Sequence, residues 1–187
     1  MAISIVLIII GLIIGGVMKG RDLINSASQK KVYNTWVKQW QVAISQYEDR
    51  TGAVLGDGTA NGGKTDPENG FMDYFYLKDQ PDKVQTALTN VGLTVPTSNI
   101  VDSNGSQYRI KGKYVTNVSN LYFGTANGKN VMMMSGMPTD VAIAFDKIVD
   151  GAIDPLHGNF RNWSDRTTTT WPSASTTRTV NAYLVTE

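Results

Sequence analysis

Residues 1–18, MAISIVLIIIGLIIGGVM, form an almost unbroken apolar run, and the pattern beyond them continues as a helix instead of stopping. From Ala2 to Met18 the only polar side chain is Ser4, and seventeen residues at the helical rise span about 25 Å, just enough for a bilayer core. Lys19, Arg21 and Asp22 then mark an interface. The next stretch, NSASQKKVYNTWVKQWQVAISQYEDRTG (25–52), carries an apolar stripe at Tyr33, Trp36, Trp40, Ala43 and Tyr47, spaced three and four apart as one helical face requires. This predicts one helix of about fifty residues, apolar at its start and amphipathic at its end.

Three readings of the apolar run compete. A secretory signal peptide needs a basic region before the run and a small-residue cleavage site soon after it, but nothing basic precedes Ala2 and the best candidate, Ser26 to Ser28, sits late. A plain anchor fits the length, yet Lys19 and Arg21 on its C-terminal side would hold the rest of the chain in the cytoplasm by the positive-inside rule. The downstream composition, with few charges and a Thr/Ser-rich tail, suits an exported surface. The third reading, a short basic leader ahead of Met1, reconciles the two and is the expectation.

The segment SIVLIIIGLIIGGVMKGRDLI (4–24), followed by a helix ending in AISQYEDRTGAVLGDG (43–58), resembles the N-terminal region of bacterial type IV pilins and of the pseudopilins of type II secretion. The resemblance covers the first fifty-odd residues and returns more weakly in MPTDVAIAFDKIVDGAIDPLHGNFR (137–161), similar to the helix, acidic turn and strand late in some pilin-like subunits. Aligning Gly11 with the glycine near the middle of that family's helix puts Ala2 where the family carries a Glu. Either the chain begins inside the mature helix or Met1 is a different kind of N-terminus, and Glu-dependent docking passes to no residue here. The resemblance implies an α+β, pilin-like fold, a long helix packed on a mostly antiparallel sheet with short inserted helices. It also implies a leader peptidase, an assembly ATPase and a membrane platform as transient partners.

The division expected is 1–50 for the membrane or filament-core helix and 51–187 for one globular head, long enough for its own core. Lys and Arg number 17 against 16 Asp and Glu, so the totals carry no electrostatic footprint for nucleic acid, and none is predicted as a partner. The absence of cysteine removes disulfides, thiolate metal sites and cysteine nucleophiles together.

Within the head, Thr51 to Gly70 is rich in Gly, Asp and Asn and reads as an irregular connection. Gln80 to Val91 predicts a short helix, with Pro early and Gly92 just past its end. Gln107 to Thr116, Val118 to Phe123 and Lys129 to Met134 read as strands, the last two joined by the hairpin turn GTANG. Pro138 to Val149 predicts a helix, and Gly158 to Trp163 and Thr179 to Thr186 two more strands around SDRTTTTWPSASTTR (164–178).

Four features invite chemistry. Gly58 to Thr65, GTANGGKT, spells the phosphate-binding pattern GxxxxGK[ST], but Asp66, Pro67, Glu68, Asn69 and Gly70 follow where a helix must start, so a flexible solvated loop is expected and no enzyme. His157, the single histidine, lies in a turn and reads as a surface or capping residue. Asp146, Asp150 and Asp154 surround a turn and supply the ligand type calcium takes, though at no EF-hand spacing; solvated turn acids are the plainer expectation, and no cofactor is assigned beyond that calcium possibility. Asn104, Asn117 and Asn162 stand in N-x-[ST] glycosylation sequons. The helix aromatics offer a charge-transport path, but core packing already accounts for their spacing.

The function this supports is a structural subunit of a type IV pilus-like extracellular filament, resident in the bacterial inner membrane as a precursor and self-associating into a helical homopolymer. Gly11 with Gly15, and Gly16 with Gly20, are small pairs four apart that permit close helix approach, and Ile8, Ile9 and Leu12 supply apolar contact. The alternatives are a membrane-anchored monomeric binding module and a minor pseudopilin of type II secretion.

Overall fold

The computed structural model describes residues 2–65, 68–79, 81–97 and 106–186, with the backbone alone for 2–4. A continuous helical rod runs from Ala2 to Thr51 in three parts: α1 (Ala2–Val32), a π-helical turn (Tyr33–Val37) and α2 (Lys38–Thr51). It ends at Gly52, whose left-handed backbone and N–H to the Glu48 carbonyl form a glycine C-cap. The head then adds β1 (Phe75–Tyr76), α3 (Pro81–Asn90), β2 (Gln107–Lys111), β3 (Thr116–Ala126), β4 (Lys129–Pro138), α4 (Thr139–Asp150), β5 (Phe160–Asn162) and β6 (Thr179–Val185). This is an α+β arrangement, with the long N-terminal helix set against a sheet.

All strand pairings are antiparallel, in the order β1-β3-β4-β6-β5, and β2 shares the outer edge of β3 with β1. The β3–β4 hairpin closes on Asn127 and Gly128, both at positive φ, the conformation a tight hairpin turn demands. Between Met134 and Met137 the β4–β6 register shifts. Within that shift Gly136 takes a positive φ, donates its N–H to Asn181 Oδ1 at 3.0 Å and accepts Asn117 Nδ2 at 2.7 Å, so polar side chains replace the ladder bonds the irregularity gives up.

One face of the sheet meets the rod. Leu121 and Phe123 of β3, Met132 and Met134 of β4, and Ala182 and Leu184 of β6 point to a core completed by Trp36, Trp40, Ala43, Ile44 and Tyr47. Trp36 stacks on Tyr108 at 4.3 Å and Trp40 meets the Phe123 ring edge-on at 5.8 Å, so the aromatic stripe of the sequence is the inner face of the helix. The alternate residues Tyr122, Met133 and Tyr183 are also buried, on the opposite face, beneath Tyr76 and Trp163. Burial on both faces is why these strands lack a clean alternation of apolar and polar residues.

The π turn lets Trp36 and Val37, adjacent in sequence, both reach zero exposure. Its wider i→i+5 closure runs from the Lys38 N–H to the Tyr33 carbonyl, and the Tyr108 hydroxyl donates to the Thr35 carbonyl inside it at 3.1 Å. Three details correct the sequence reading. The expected strand 107–116 is broken, because Gly112 to Val115 turn, with the Gly112 N–H on the Val115 carbonyl, and β2 and β3 form a second hairpin. The two-residue strand β1 was not predicted, and the strand expected over 158–163 is confined to Phe160–Asn162.

Candidate functional site

The assembly residues nominated from sequence stand on the part of the rod that the head does not cover. Ile5 to Ile10, Leu12 to Ile14, Val17 and Met18 are between 46% and 72% exposed, on all sides of the helix, and they include Ile8, Ile9 and Leu12. Around Gly11, Gly15, Gly16 and Gly20 no atom of the described residues outside the helix lies within 4 Å of where a side chain would begin. The helix is unbroken through these four glycines in the isolated chain. Among the described residues no helix is long and apolar enough to cross a membrane. The fully described apolar run, Ile5 to Met18, spans about 20 Å at the helical rise, short of a hydrocarbon core of about 30 Å.

Where the rod first meets the head, Gln29 donates to Asp140 Oδ2 at 3.3 Å, and the same oxygen accepts the Lys113 backbone N–H at 2.9 Å. Asp140 thereby ties the helix to the β2–β3 turn and to the first turn of α4, where a carboxylate also complements the helix dipole.

The GTANGGKT run is not the solvated loop expected of it. Asn61, Gly62 and Gly63 are buried, and the segment folds back on itself through Gly63 N–H to the Gly58 carbonyl and Gly56 N–H to the Asn61 carbonyl. The backbone N–H groups of Lys64 and Thr65 both donate to Asp73 Oδ2, at 2.6 and 2.7 Å, and the Thr65 hydroxyl donates to Asp73 Oδ1 at 3.1 Å. The chain's own carboxylate occupies the place a phosphate would take. A Cβ added at Gly63 would sit 2.6 Å from that same Asp73 oxygen, so the glycine is required by the carboxylate's approach. A second carboxylate, Asp57, accepts the N–H groups of Asn69 and Gly70, while Tyr47 on α2 donates to Asn61 at 2.8 Å and anchors the loop to the rod. Asp66 and Pro67, on which part of the case against a following helix rests, lie outside the described residues.

The three aspartates raised for calcium are likewise engaged by donors. Asp146 is fully buried on α4 and accepts the Trp171 indole N–H at 2.6 Å and the Asp154 N–H at 2.9 Å, both on Oδ2. Its Oδ1 has no partner among the described residues, and burial pushes the carboxyl above the usual range against the pull of those two hydrogen bonds. Asp150 accepts the N–H groups of Asn159 and Phe160. Asp154 lies 2.9 Å from His157 Nδ1 and accepts the Leu156 N–H; the hydrogen bond from His157 is the main cause that holds it low. Among the described residues no group of three or more His, Asp or Glu could hold a metal ion. His157 is exposed, as a turn residue should be.

Two of the three sequons are spent on structure. Asn162 is 2% exposed and its side chain accepts the N–H groups of Ser164 and Asp165, and Asn117 uses its amide on the Gly136 carbonyl. The burial of Asn162 leaves no room for a glycan, and one on Asn117 would crowd the Gly136 carbonyl its amide nitrogen meets. Asn104 lies outside the described residues.

Sequence reasoning missed one polar cleft of about 370 Å³ beside the β5 edge, where Arg161, Arg166, His157, Asn127 and Tyr183 converge. No motif marks it; only the register, which pairs Arg161 with Tyr183, brings the group together.

Compared with known proteins, no family model, no curated protein and no solved structure matches this chain.

Proposed function

We propose that the chain is the structural subunit of a type IV pilus-like extracellular filament, polymerising through the exposed end of its N-terminal rod. The observation that carries this reading is a contrast within one molecule. The head buries its core, from Trp36 to Leu184, while eleven large apolar residues from Ile5 to Met18 stay uncovered all round the helix. A helix apolar on every side is stable only inside protein or lipid. Burying side chains that are about half exposed returns roughly 1 kcal/mol or more each, on the order of 10 kcal/mol per chain before the entropy of association.

Bundling of these helices from many copies satisfies that demand, and the four glycines let neighbouring backbones approach. In this reading the inner membrane holds the precursor, with Lys19 and Arg21 at its surface, and the assembly machinery of pilus systems moves the subunit into the filament. A monomeric tether gives Gly11, Gly15, Gly16 and Gly20 no role, which is why the filament is preferred to an anchored binding module.

The test compares full-length protein with a truncation starting at Ser26, which keeps every buried core residue. On removal of detergent the full chain should form filaments by electron microscopy, and the truncation should sediment as a monomer. Full-length protein that stays monodisperse without detergent would overturn the reading.

A further inference from the structure

The cleft at the β5 edge holds an unusual concentration of unspent positive donors. Arg161 lies on the outer face of the sheet, directly across from Tyr183 of β6. Its Nε donates to the Gly158 carbonyl at 2.6 Å, which fixes the plane of the guanidinium and leaves the terminal N–H groups without a partner among the described residues. Arg166 lies with its guanidinium carbon 3.5 Å from the centre of the Trp163 ring, and Trp163 packs edge-on against Tyr183 at 5.7 Å. Two guanidinium groups are thus held in place by a carbonyl and by a ring face, neither of which neutralises charge.

Among the described residues no carboxylate lines the cleft. The two nearest in sequence are committed elsewhere: Asp154 to His157 Nδ1 and two backbone N–H groups, Asp165 to Thr167 and Thr168. The His157–Asp154 contact is the one meeting of a basic side chain with a carboxylate within 4.0 Å among the described residues, so neither arginine has an anionic partner there. Tyr183 lines the same cleft, and its hydroxyl makes no hydrogen bond among the described residues and is free to donate to a ligand.

We propose that this cleft binds a small ligand through an oxyanion, a carboxylate or a phosphate ester, with Arg161 and Arg166 taking the charge and Tyr183 donating to it. A volume of about 370 Å³ suits a ligand of monosaccharide size. The exposed Asn127 amide at the hairpin tip and the outer edge of His157 supply rim contacts for hydroxyl groups. The site belongs to the head alone and does not depend on whether the chain polymerises.

Calorimetric titration of the full-length chain, kept dispersed in a non-ionic detergent, tests the proposal with glucuronate, glucose 6-phosphate and neutral glucose as probes. Saturable binding of at least one anionic probe is expected, with no heat from glucose; the stronger anion tells a carboxylate site from a phosphate site. R161Q and R166Q should each weaken that binding about tenfold or more, as loss of a charge-assisted hydrogen bond does. Y183F should weaken it severalfold at an unchanged melting temperature, and K129Q, an exposed lysine outside the cleft, should leave it unaltered. R166Q removes no hydrogen bond of the fold, so it reports on binding even where R161Q disturbs the β5 edge. Absence of saturable binding by either anion, or equal binding by wild type, R166Q and Y183F, overturns the proposal.

Discussion

The Asp73 carboxylate lies 2.6 Å from the backbone nitrogen of Lys64, and the Gly-rich loop that spells a phosphate-binding motif is closed around it. A helix N-terminus binds phosphate because several N–H groups point outward together. Here the N–H groups of Lys64 and Thr65 point at an internal anion, and Gly63 spends its own on the Gly58 carbonyl. D73A should therefore lower the stability of the head by about 1 to 2 kcal/mol, read by thermal melting, whereas K64A should change it by less than about 0.5 kcal/mol. Neither protein should bind ATP. Nucleotide binding by wild type that disappears in K64A would contradict this assignment.

Trp36 and its neighbours give a second prediction. The Trp36 indole is fully buried but its N–H has no partner among the described residues, so its contribution is packing against Tyr108 and not hydrogen bonding. W36A should cost about 3 to 5 kcal/mol, the range for deleting a large buried aromatic. W36F discards the orphaned donor with part of the ring and should cost less than half as much. Equal losses from the two substitutions would contradict packing on Tyr108 as the source of the stabilisation.

Asp146 sets a pH dependence with a definite sign. Burial raises its folded pKa above the unfolded value, so its stabilising contribution is complete below the unfolded pKa, near 4 for an ordinary aspartate, and is lost as pH rises through the folded pKa. Asp154 and Asp165 are depressed by His157 and Thr167 respectively, so theirs is present above the unfolded pKa and lost as pH falls through their lowered folded values. D146N keeps an oxygen for the Trp171 indole and removes the charge. Melting curves between pH 4 and 7 should show wild type losing stability relative to D146N as pH rises; parallel curves would refute the cause assigned.

The rod, the order of the head's later elements and the buried aromatic face were legible because each rests on a local period or a local turn signal. Tyr33, Trp36, Trp40 and Tyr47 repeat at helical spacing, and Asn127-Gly128 has the backbone freedom a hairpin needs. The π turn was not legible, since its cause is tertiary: Val37 and Trp36 are both buried in the core, and Tyr108 reaches a carbonyl of the widened turn. Strand β1 is two residues long and exists only because Phe75 and Tyr76 meet β3. The tightness of the 56–73 loop depends on Asp57 and Asp73 meeting distant N–H groups, and the arginine cleft on a cross-strand register. Neither leaves a periodic trace.

The glycines of the rod give a prediction separable from the head. Nothing crowds Gly15 or Gly16 in the isolated chain, so replacing both with Ala should raise helix stability by about 1 kcal/mol per site and leave the melting of the head unchanged. In a filament the same change should alter subunit rise or filament abundance, because close approach and any local stretching of the helix both draw on those positions. Normal filaments from the double variant, with an unbroken helix through Gly20, would reduce the glycines to bystanders.

The proposed function requires that copies of the chain assemble on the exposed end of the rod. Cryo-electron microscopy of filaments grown from the full-length protein tests it most directly. The expected map has the helices carrying Ile8, Ile9 and Leu12 bundled along the axis with the heads outward, and I9K together with L12K should abolish filaments while the head melts as before. A map with these helices facing solvent, or filaments that survive the paired lysines, would contradict it.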